Sequence, residues 1–418
     1  MLHTVHALDA EETRLLEEES FRSLLGTVSS EKGIEAVNPE DCLFFDIETT
    51  GLSSDTSFVF LIGCICSDGT CWYLHQFFIR LVHEEKELLS SFLELAGTYR
   101  VLVHFNGTTF DLPFLRGRAA ANHLEDSDTV LSEDERCSID LYQHFRPLRR
   151  KLQLAHMNQS FLEQQADWMR EDTLSGREVV TRFWAYAAAA PDKQPELQAL
   201  LLKHNHDDLA GMLHVLKLEA YLALFSGRIA SNVIAEESGN QTVLNLRFQL
   251  QLPLPKPIGQ SVLLSDGAQC FLHADAALGT LQIPFYTGTL RYFISDYKNY
   301  YYLPFENQIV HKSVASYVAK EYREKARPDN CFVEKEGRFL PLPKLRQRPE
   351  NERDRSLLSQ PPFAPVFRES YESKEHYFEY NFTNNSENHS KNDSESVPGG
   401  WPEALTLYTR LLLRQIFR

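Results

Sequence analysis

Apolar residues in the first half of the chain form runs that predict a mixed sheet. From Cys42 to about Ile79, three runs, CLFFDIE, FVFLIGCICS and CWYLHQFFI, are separated by the turn signals SSDTS and DG, which is typical of a three-stranded meander. Two further strands, RVLVHFN and RCSIDLY, alternate with segments of helical period. The pattern predicts an α/β domain with a mixed five-stranded sheet flanked by helices.

The helical segments of this first domain follow its third strand. They are HEEKELLSSFLELAGTY, TFDLPFLRGRAAANHL, RPLRRKLQLAHM, LSGREVVTRFWAYAAAA and a long stretch from about Pro195 to Phe225. We assign residues 41–226 to this domain and residues 1–40 to an N-terminal extension.

The pattern changes after about Gly227, where a smaller, strand-rich C-terminal domain is predicted for residues 227–418. In TVLNLRFQLQL the apolar and polar residues alternate strictly, as a half-buried strand requires. Further strands are predicted at SVLLS, CFLHA and TLQIPFY, with one helix from Lys312 to Lys325.

The end of the chain combines a polar segment with an amphipathic one. Residues 383–400, TNNSENHSKNDSESVPGG, have the low-complexity composition of a flexible insertion. The helix predicted over WPEALTLYTRLLLRQIFR carries an apolar stripe that we expect to dock on a core. The stripe consists of Leu405, Tyr408, Leu412 and Ile416.

Composition favours a cytoplasmic globular protein. The 418-residue chain has a 43% apolar fraction and an N-terminus too charged for a signal peptide, and no window reaches the length of a membrane span. Its seven cysteines are scattered and predict no disulfide framework. Cys64, Cys66 and Cys71 are close enough to suggest zinc, but they lack a paired Cys-x-x-Cys, so thiols in half-buried strands are the favoured interpretation.

The formal net charge of −16 counts against a protein that binds nucleic acid through bulk positive charge, since phosphate binding depends mainly on Lys and Arg. A local basic run stands out in HFRPLRRKL, where Arg146, Arg149, Arg150 and Lys151 fall within six residues. This run predicts either contact with a phosphate backbone or an ordinary solvated helix face, and the pattern does not choose between them.

Two carboxylates alternate at the end of an apolar strand. Side chains two apart on a strand share a face, so Asp46 and Glu48 in FFDIETTGL can reach one cation. Alone, Asp-x-Glu is weak evidence, because many surface strands carry two acids. Here Leu43, Phe44 and Phe45 predict a buried strand, and buried carboxylates need a metal or another strong partner.

Two later segments add further acids. Asp111 follows the strand VLVHFN and stands at the head of a helix, where it is either a site residue or only a first-turn acid. His204 and Asp208 are four apart in the long helix and share a face, whereas Asp207 points about 100° away. The pairing of a histidine with an acid one turn later makes a functional role competitive with a structural one.

Three segments, in this order, resemble known motifs: DIETTGL, NGTTFDLPFL, and a final run in which His204 and Asn205 precede Asp208. Together they resemble the three exonuclease motifs of the DEDD superfamily, which the proofreading domains of B-family DNA polymerases also carry. The resemblance extends to the stand-alone bacterial ribonuclease H-like proteins of the YprB type. It covers roughly Cys42 to Ala220.

This resemblance implies a ribonuclease H-like fold in which Asp46, Glu48, Asp111 and Asp208 bind two divalent ions. Oxygen ligands favour Mg²⁺ or Mn²⁺. Two such ions, about 4 Å apart, activate a water and stabilise the leaving oxygen during displacement at phosphorus. The implied activity is that of a 3′–5′ exonuclease on DNA or RNA. The implied partner is a nucleic acid substrate that is single-stranded or has a free 3′ end.

The resemblance also implies roles around the four acids. His204 orients or deprotonates the water, Asn106 contacts the substrate backbone, Thr49 binds substrate beside the first motif, and Leu52 wedges against a terminal base. Relatives place Tyr four residues, or His five residues, before the last Asp, whereas His204 has the tyrosine spacing. Asp140, a fifth acid in SIDLY, is expected to support the site or the fold rather than to bind metal.

Two readings of another class stay open. One is a nucleic-acid-binding module with a degenerate or weakly active nuclease site, which the retention of all four acids disfavours. The other is an acidic scaffold that binds divalent ions weakly. Tyrosines of the second domain stand among cations and predict either a base-stacking platform or, as the favoured interpretation, core packing. They are Tyr292, Tyr297, Tyr300, Tyr301 and Tyr302.

Overall fold

The structure is a computed structural model. It describes residues 1–124, 130–132, 137–230, 233–263, 269–345, 351–381 and 400–417. The chain divides into two compact units. The first contains Met1–Leu222 and Leu254–Lys256, and the second contains Ala223–Pro253 and Pro257–Arg418.

The first unit is built on a six-stranded mixed sheet. Its strands are β1 (Leu2–Ala7), β2 (Cys42–Thr49), β3 (Val59–Ser67), β4 (Trp72–Phe78), β5 (Val101–His104) and β6 (Cys137–Asp140). Their order is β1-β4-β3-β2-β5-β6. The β2–β5 and β5–β6 pairs are parallel, and the other pairs are antiparallel.

Helices flank this sheet. Those that begin in the first unit are α1 (Ala10–Glu17), α2 (Glu19–Lys32), α3 (Glu85–Gly97), α4 (Asp111–Ala121), α5 (Leu141–Phe145), α6 (Leu148–Lys151), α7 (Gln159–Gln165), α8 (Gly176–Ala188), α9 (Gln194–Val215) and α10 (Glu219–Phe225). Every residue of β3 is buried. A continuous apolar run is expected where both faces of a strand are covered, so β3 lies at the centre of the core. The predicted α/β class with a helix-flanked mixed sheet is confirmed.

The N-terminal segment and the long helix differ from expectation. Leu2–Ala7 pairs with β4 and adds a sixth strand at the sheet edge. Five of its six residues are exposed or nearly so, which is why its sequence lacks the periodicity of a buried strand. The helix predicted from Pro195 to Phe225 is interrupted by a 3₁₀ turn at Leu216–Leu218.

The second unit is rich in strands, as predicted. They are β7 (Ile234–Glu237), β8 (Val243–Gln249), β9 (Ile258–Leu263), β10 (Gln269–Asp275), β11 (Leu278–Pro284), β12 (Tyr286–Phe293), β13 (Tyr300–Leu303), β14 (Gln308–His311), β15 (Glu324–Lys325), β16 (Phe332–Pro341), β17 (Val366–Phe367) and β18 (Tyr377–Glu379). They form sheets of the orders β7-β8-β11-β10-β9, β12-β16-β18-β17 and β14-β13-β15.

The helices of the second unit are α11 (Lys312–Ala315), α12 (Glu352–Leu358) and α13 (Gly400–Ile416). The helix predicted from Lys312 to Lys325 is wrong beyond its first turn. The backbone is extended at Ala319, and Glu324–Lys325 instead pairs with β13, which satisfies its backbone groups in a sheet.

The apolar stripe of α13 is largely buried. Leu405, Tyr408 and Leu412 are buried, and Ile416 is half-buried. Of the predicted flexible insertion, residues 383–399 lie outside the described residues. Within the described chain, none of the helices has the length and apolar character needed to cross a bilayer.

The tyrosines of the second unit pack only in part. Tyr300, Tyr301 and Tyr302 are half-buried on β13, and Tyr292 is 37% exposed on β12. Cys64 and Cys66 are buried in β3, whereas Cys71 is exposed. Where the structure describes the chain, the grouped side chains able to hold a metal include none of these cysteines.

Candidate active site

The first two acids lie at the carboxyl end of a central strand. Asp46 and Glu48 project from one face of β2 and are half-buried, whereas Phe45 and Ile47 on the other face are buried. The ladder to β3 shifts register between Glu48 and Thr49. Such an irregularity ends regular pairing and turns the chain out of the sheet. The two carboxylates therefore lie where β2 ends.

A glycine in β3 lets α9 approach the carboxyl end of β2. Gly63 of β3 lies opposite Asp46, and a Cβ on Gly63 would lie 2.0 Å from Oδ1 of Asn205 and 2.6 Å from Cδ1 of Leu209. Without that atom, Nδ2 of Asn205 donates a hydrogen bond to Oδ2 of Asp46 at 3.0 Å. Nε2 of Gln76 donates to Oδ1 of Asn205 at 3.0 Å. These bonds fix the rotation of α9 relative to the sheet.

His204 and Asp208 therefore face the end of β2 from α9. Nε2 of His204 lies 3.3 Å from Oε1 of Glu48 and 3.2 Å from Oδ2 of Asp208. On the other side of the ring, Nδ1 of His204 contacts Oδ2 of Asp172. The imidazole is thus held between a carboxylate outside the cluster and two carboxylates inside it.

Arg170 holds the other oxygen of Asp208. Its Nη1 lies 2.5 Å from Oδ1 of Asp208, and its Nε donates to Oε2 of Glu163 at 2.9 Å. Glu163 is buried beside Gly211 of α9, where a side chain would collide with its carboxylate. Nε2 of Gln159 donates to the backbone oxygen of Asp208 at 2.6 Å. The guanidinium of Arg170 therefore places positive charge beside the carboxylate of Asp208.

Asp111 is the first residue of α4 and is buried. The turn before it contains Asn106 in the left-handed region, at φ 60°. Asp140 holds this turn: its Oδ1 accepts from the backbone N–H of Asn106 at 2.9 Å, and its Oδ2 accepts from that of Thr108 at 3.3 Å. It also caps α5. Asp140 thus binds backbone amides and supports the loop that carries Asp111.

The pKa values of three clustered acids, Asp46, Glu48 and Asp111, are raised. Burial, followed by the charges of Asp208, Glu48 and Asp111, raises the pKa of Asp46 well above its ordinary value. Burial raises the pKa of Glu48 to about 8, against the opposing effect of His204. Burial also raises the pKa of Asp111 to about 7. Close carboxylates in a dry site favour protons or cations over free ionisation.

The pKa of His204 is raised as well. Burial opposes this shift, but the charges of Glu48 and Asp208 and the contact with Asp172 outweigh burial. The pKa of Arg170 is also raised, since its bonds to Glu163 and Asp208 outweigh its desolvation. The neighbouring carboxylates thus favour the protonated forms of both side chains.

These groups line one cleft of about 770 Å³. Four of the predicted acids, Asp46, Glu48, Asp111 and Asp208, line it together with His204 and Asn106. The remaining walls combine apolar residues with aromatic, polar and basic ones. They include Phe105, Phe110, Tyr142, Arg149, His156 and Gln159. An acidic floor with aromatic and cationic walls can hold a cation at the floor and a planar or anionic group above it.

Two predicted substrate residues lie outside this lining. Thr49 is buried, and its hydroxyl donates to the backbone oxygen of Gly51 at 2.8 Å, within its own turn. Leu52 is 88% exposed. In this conformation neither side chain is among those that line the cleft.

Sequence reasoning missed Asp172, Arg170 and Glu163. Asp172 and Arg170 lie between helices α7 and α8, where no periodicity marks a charged residue as inward-facing. The one available signal was the run MREDT, in which three charged residues follow each other between two helical segments. Such a run is more often solvated than buried.

The donor set fits divalent cations. Glu48, His204 and Asp208 each offer a ligand atom, and these atoms lie within 4.8 Å of one another. Asp46 and Asp111 line the same floor. Oxygen-rich sets suit Mg²⁺ or Mn²⁺, and an imidazole nitrogen is acceptable to Mn²⁺ rather than to Mg²⁺.

Comparison with solved structures finds distant similarity. A family B DNA polymerase from the hyperthermophilic archaeon Pyrobaculum calidifontis has 16% identity and a TM-score of 0.34, and the match covers 62% of this chain and 35% of that one. The zinc-bound E. coli ExoI–ssDNA complex has 16% identity and a TM-score of 0.26, covering 49% of this chain and 53% of that one. This chain thus spans about a third and about half of the two proteins. No curated protein matches it.

A family model covers the unit that holds the cleft. Residues 43–219 match the model described as the RNase_H superfamily. The matched range includes α4, α9 and all of β2 except Cys42, and these elements carry the four acids. The mixed sheet of the first unit, flanked by helices and matched by this model, has a ribonuclease H-like fold.

Proposed function

We propose that this chain is a metal-dependent nuclease of the DEDD type, related to the YprB group, that hydrolyses phosphodiester bonds of DNA or RNA from a free 3′ end. One observation carries the proposal. Asp46, Glu48, Asp111 and Asp208, from three separate segments of the chain, converge on the floor of a single cleft. The raised pKa values of Asp46, Glu48 and Asp111 fit a site whose charge is balanced by cations.

The four acids would hold two Mg²⁺ or Mn²⁺ ions. When bound, two such ions lower the pKa of a water and stabilise negative charge on the attacking and leaving oxygens of an in-line displacement. The chain supplies the ligands and their orientation. Asn205 restrains the carboxylate of Asp46, and Arg170 restrains that of Asp208.

His204 would orient the attacking water or accept its proton. With Nδ1 bonded to Asp172, the neutral ring presents Nε2 to the cleft, where a lone pair can take a proton. The carboxylates of Glu48 and Asp208 lie 3.3 and 3.2 Å from this nitrogen. If these carboxylates served as metal ligands, their effect on the ring would weaken and the pKa of His204 would be lower, so the neutral ring could act as a base.

The walls of the cleft suit a nucleotide. The rings of Phe105 and Tyr142 meet edge to face, 5.9 Å apart, and both line the cleft. An aromatic wall offers a face for stacking a base without selecting its identity. Asn106 beside them presents an amide that could bond a sugar or a phosphate oxygen.

The test is digestion of single-stranded and duplex DNA and RNA, labelled at the 5′ or the 3′ end, with Mg²⁺ or Mn²⁺. A 3′–5′ exonuclease releases the 3′ label at once and shortens the 5′-labelled strand stepwise. Asp46→Asn and Asp208→Asn should each abolish hydrolysis. Asp192→Asn, which neutralises an exposed acid of the same unit, is the matched control and should retain wild-type turnover.

Three other outcomes of these experiments would contradict all or part of the proposal. Internal cuts on a strand blocked at its 3′ end would make the chain an endonuclease. Tight binding of a strand without cleavage, under both metals, would favour the binding module with a degenerate site. Near-normal turnover of Asp46→Asn would remove that residue from the metal ligands and the proposal with it.

A further inference from the structure

The cleft poses an electrostatic problem for its substrate. A nucleic acid carries one negative charge per nucleotide, whereas the chain has a net charge of −16 and the floor of the cleft is acidic. Two divalent ions held by the four acids would offset the charge of the floor, but they would supply no positive charge for the phosphates further along the strand. Because phosphate binding depends on cationic side chains, the rest of the strand needs a positive surface near the cleft.

A second hollow next to the cleft has this character. It measures about 710 Å³ and is lined by Arg146, Arg149, Arg150 and Lys151 with Pro147, Gln153 and Leu154. Among the residues that the structure describes, this lining contains no acid, and the three arginines are exposed. Arg149 lines both this hollow and the catalytic cleft, so the two cavities share a wall.

Local folding holds the cations in place. Leu148 is fully buried and anchors α6. The side chains of the consecutive residues 149–151 therefore project from one short helical turn. The backbone N–H of Leu154 donates to the backbone oxygen of Arg149 at 2.9 Å and closes the turn. The positive charges of residues 149–151 on this turn, with Arg146 just before it, form a local surface that attracts phosphate groups.

We propose that the hollow lined by Arg146, Arg149, Arg150 and Lys151 is a phosphate track, which binds the sugar–phosphate backbone of the substrate strand several nucleotides from the bond that is cut. The inference rests on the proposed nuclease function. The occupant is the nucleic acid strand whose end enters the cleft, because Arg149 lines both the track and the cleft. Backbone contacts of this kind bind every sequence alike.

The experiment uses the full-length protein and fluorescent single strands of DNA and RNA, two and twelve nucleotides long. The track variant is Arg146→Gln with Arg150→Gln, two cations that line the second hollow but not the cleft. The matched control is Arg22→Gln with Arg182→Gln, two exposed arginines of the same unit that line neither cavity. Both variants change the net charge equally.

Affinity is measured by fluorescence anisotropy in Ca²⁺ over a range of salt concentrations, with the strands checked for integrity afterwards. Each lost phosphate contact lowers the salt slope for a single strand by about 0.7, so the track variant should lose about 1.4. Its Kd for the twelve-nucleotide strand should rise on the order of twentyfold at 0.1 M salt. The two-nucleotide strand should lose much less, and the control variant should bind like wild type.

Equal losses in the track and control variants would overturn the proposal, because they would reduce the effect to net charge. Equal losses for short and long strands would also overturn it, since the arginines would then act within the cleft. Failure of the nuclease proposal would look different. Wild type would leave all strands intact in Mg²⁺ and Mn²⁺, while the salt slopes would still decide whether the track binds phosphate.

Discussion

Asn205 and Asp46 are hydrogen-bonded at 3.0 Å although 159 positions separate them in the chain. The bond exists because Gly63, opposite Asp46 on β3, has no side chain to keep α9 away. The geometry of the acidic floor therefore depends on a glycine that carries no chemistry of its own.

The first prediction tests this dependence. In Gly63→Ala, the new methyl group would lie 2.0 Å from Oδ1 of Asn205, so α9 must shift away from β2. Overpacking of this kind costs about 1–3 kcal/mol of unfolding free energy. We expect that loss in chemical denaturation and a larger relative loss of nuclease turnover, since His204 and Asp208 move with α9.

Gly26→Ala is its control. Gly26 lies in α2, and no atom would lie within 4 Å of an added Cβ. Alanine in a helix should stabilise by roughly 0.5–1 kcal/mol relative to glycine. Unchanged stability and turnover in Gly63→Ala would contradict the close approach of α9.

The second prediction concerns stability without metal as a function of pH. The folded-state pKa values of Glu48 and Asp111, about 8 and about 7, lie above those of the unfolded chain. Between the ordinary carboxyl pKa of about 4 and pH 8, the folded state therefore binds more protons. Unfolding free energy should fall as pH rises through this window.

Thermal unfolding in EDTA at pH 5.5 and pH 8 measures this fall. Saturating Mn²⁺ should remove it, because the ions replace the protons and bind better at the higher pH. Asp46→Asn, which removes one of the repelling charges, should raise the melting temperature in EDTA at pH 8. A melting temperature in EDTA that rises from pH 5.5 to pH 8 would contradict the raised pKa values.

The third prediction concerns Asp172, a positioning residue. Asp172→Asn weakens the contact with Nδ1 of His204 and should slow turnover roughly tenfold to a hundredfold, the range found for residues that orient a site histidine. Loss of this carboxylate also lowers the pKa of His204. If protonation of His204 causes the fall of activity on the acid side of the pH–rate profile, this acid limb should therefore move to lower pH.

Glu171→Gln is the matched control for Asp172→Asn. It removes the neighbouring carboxylate, which is exposed and pairs with Lys203 at 3.0 Å. Its profile should follow that of wild type. A profile of Asp172→Asn with an unshifted acid limb would show that Asp172 does not set the protonation of His204.

The fourth prediction concerns His204 itself. If the neutral ring accepts the proton of the water, activity falls on the acid side, and His204→Ala loses roughly a hundredfold in rate. His204→Tyr should retain partial activity and lose this limb, because tyrosine orients water without titrating in that range. The measurement is a pH–rate profile at saturating Mg²⁺. Wild-type rates in His204→Ala would leave water activation to the ions alone.

Local patterns in the sequence were enough for the elements that carry the acids. Alternation in FFDIET predicted that Asp46 and Glu48 share a face, and the helical period did the same for His204 and Asp208. Both relations depend only on backbone geometry within a few residues, so they can be predicted from the local sequence. The α/β class and the strand-rich second half followed from the same periodicities.

Patterns were misleading where burial was weak. The edge strand Leu2–Ala7 is mostly exposed, and the segment after Ala315 leaves its helix to pair with β13. An exposed edge strand leaves little hydrophobic periodicity to read. In the second case the choice between helix and strand depends on a partner strand more than twenty residues away.

Only the tertiary structure decided how the site is assembled. The sequence gives no distance between β2 and α9, and it does not mark Gly63 as the contact point that sets this distance. It also placed Asp172 and Arg170 in an unremarkable charged run, whereas the folded chain turns them towards His204 and Asp208. The physical reason is the sequence separation of the interacting residues. Periodicity shows which face of a helix or strand a residue occupies, but long-range packing determines which residue it contacts there.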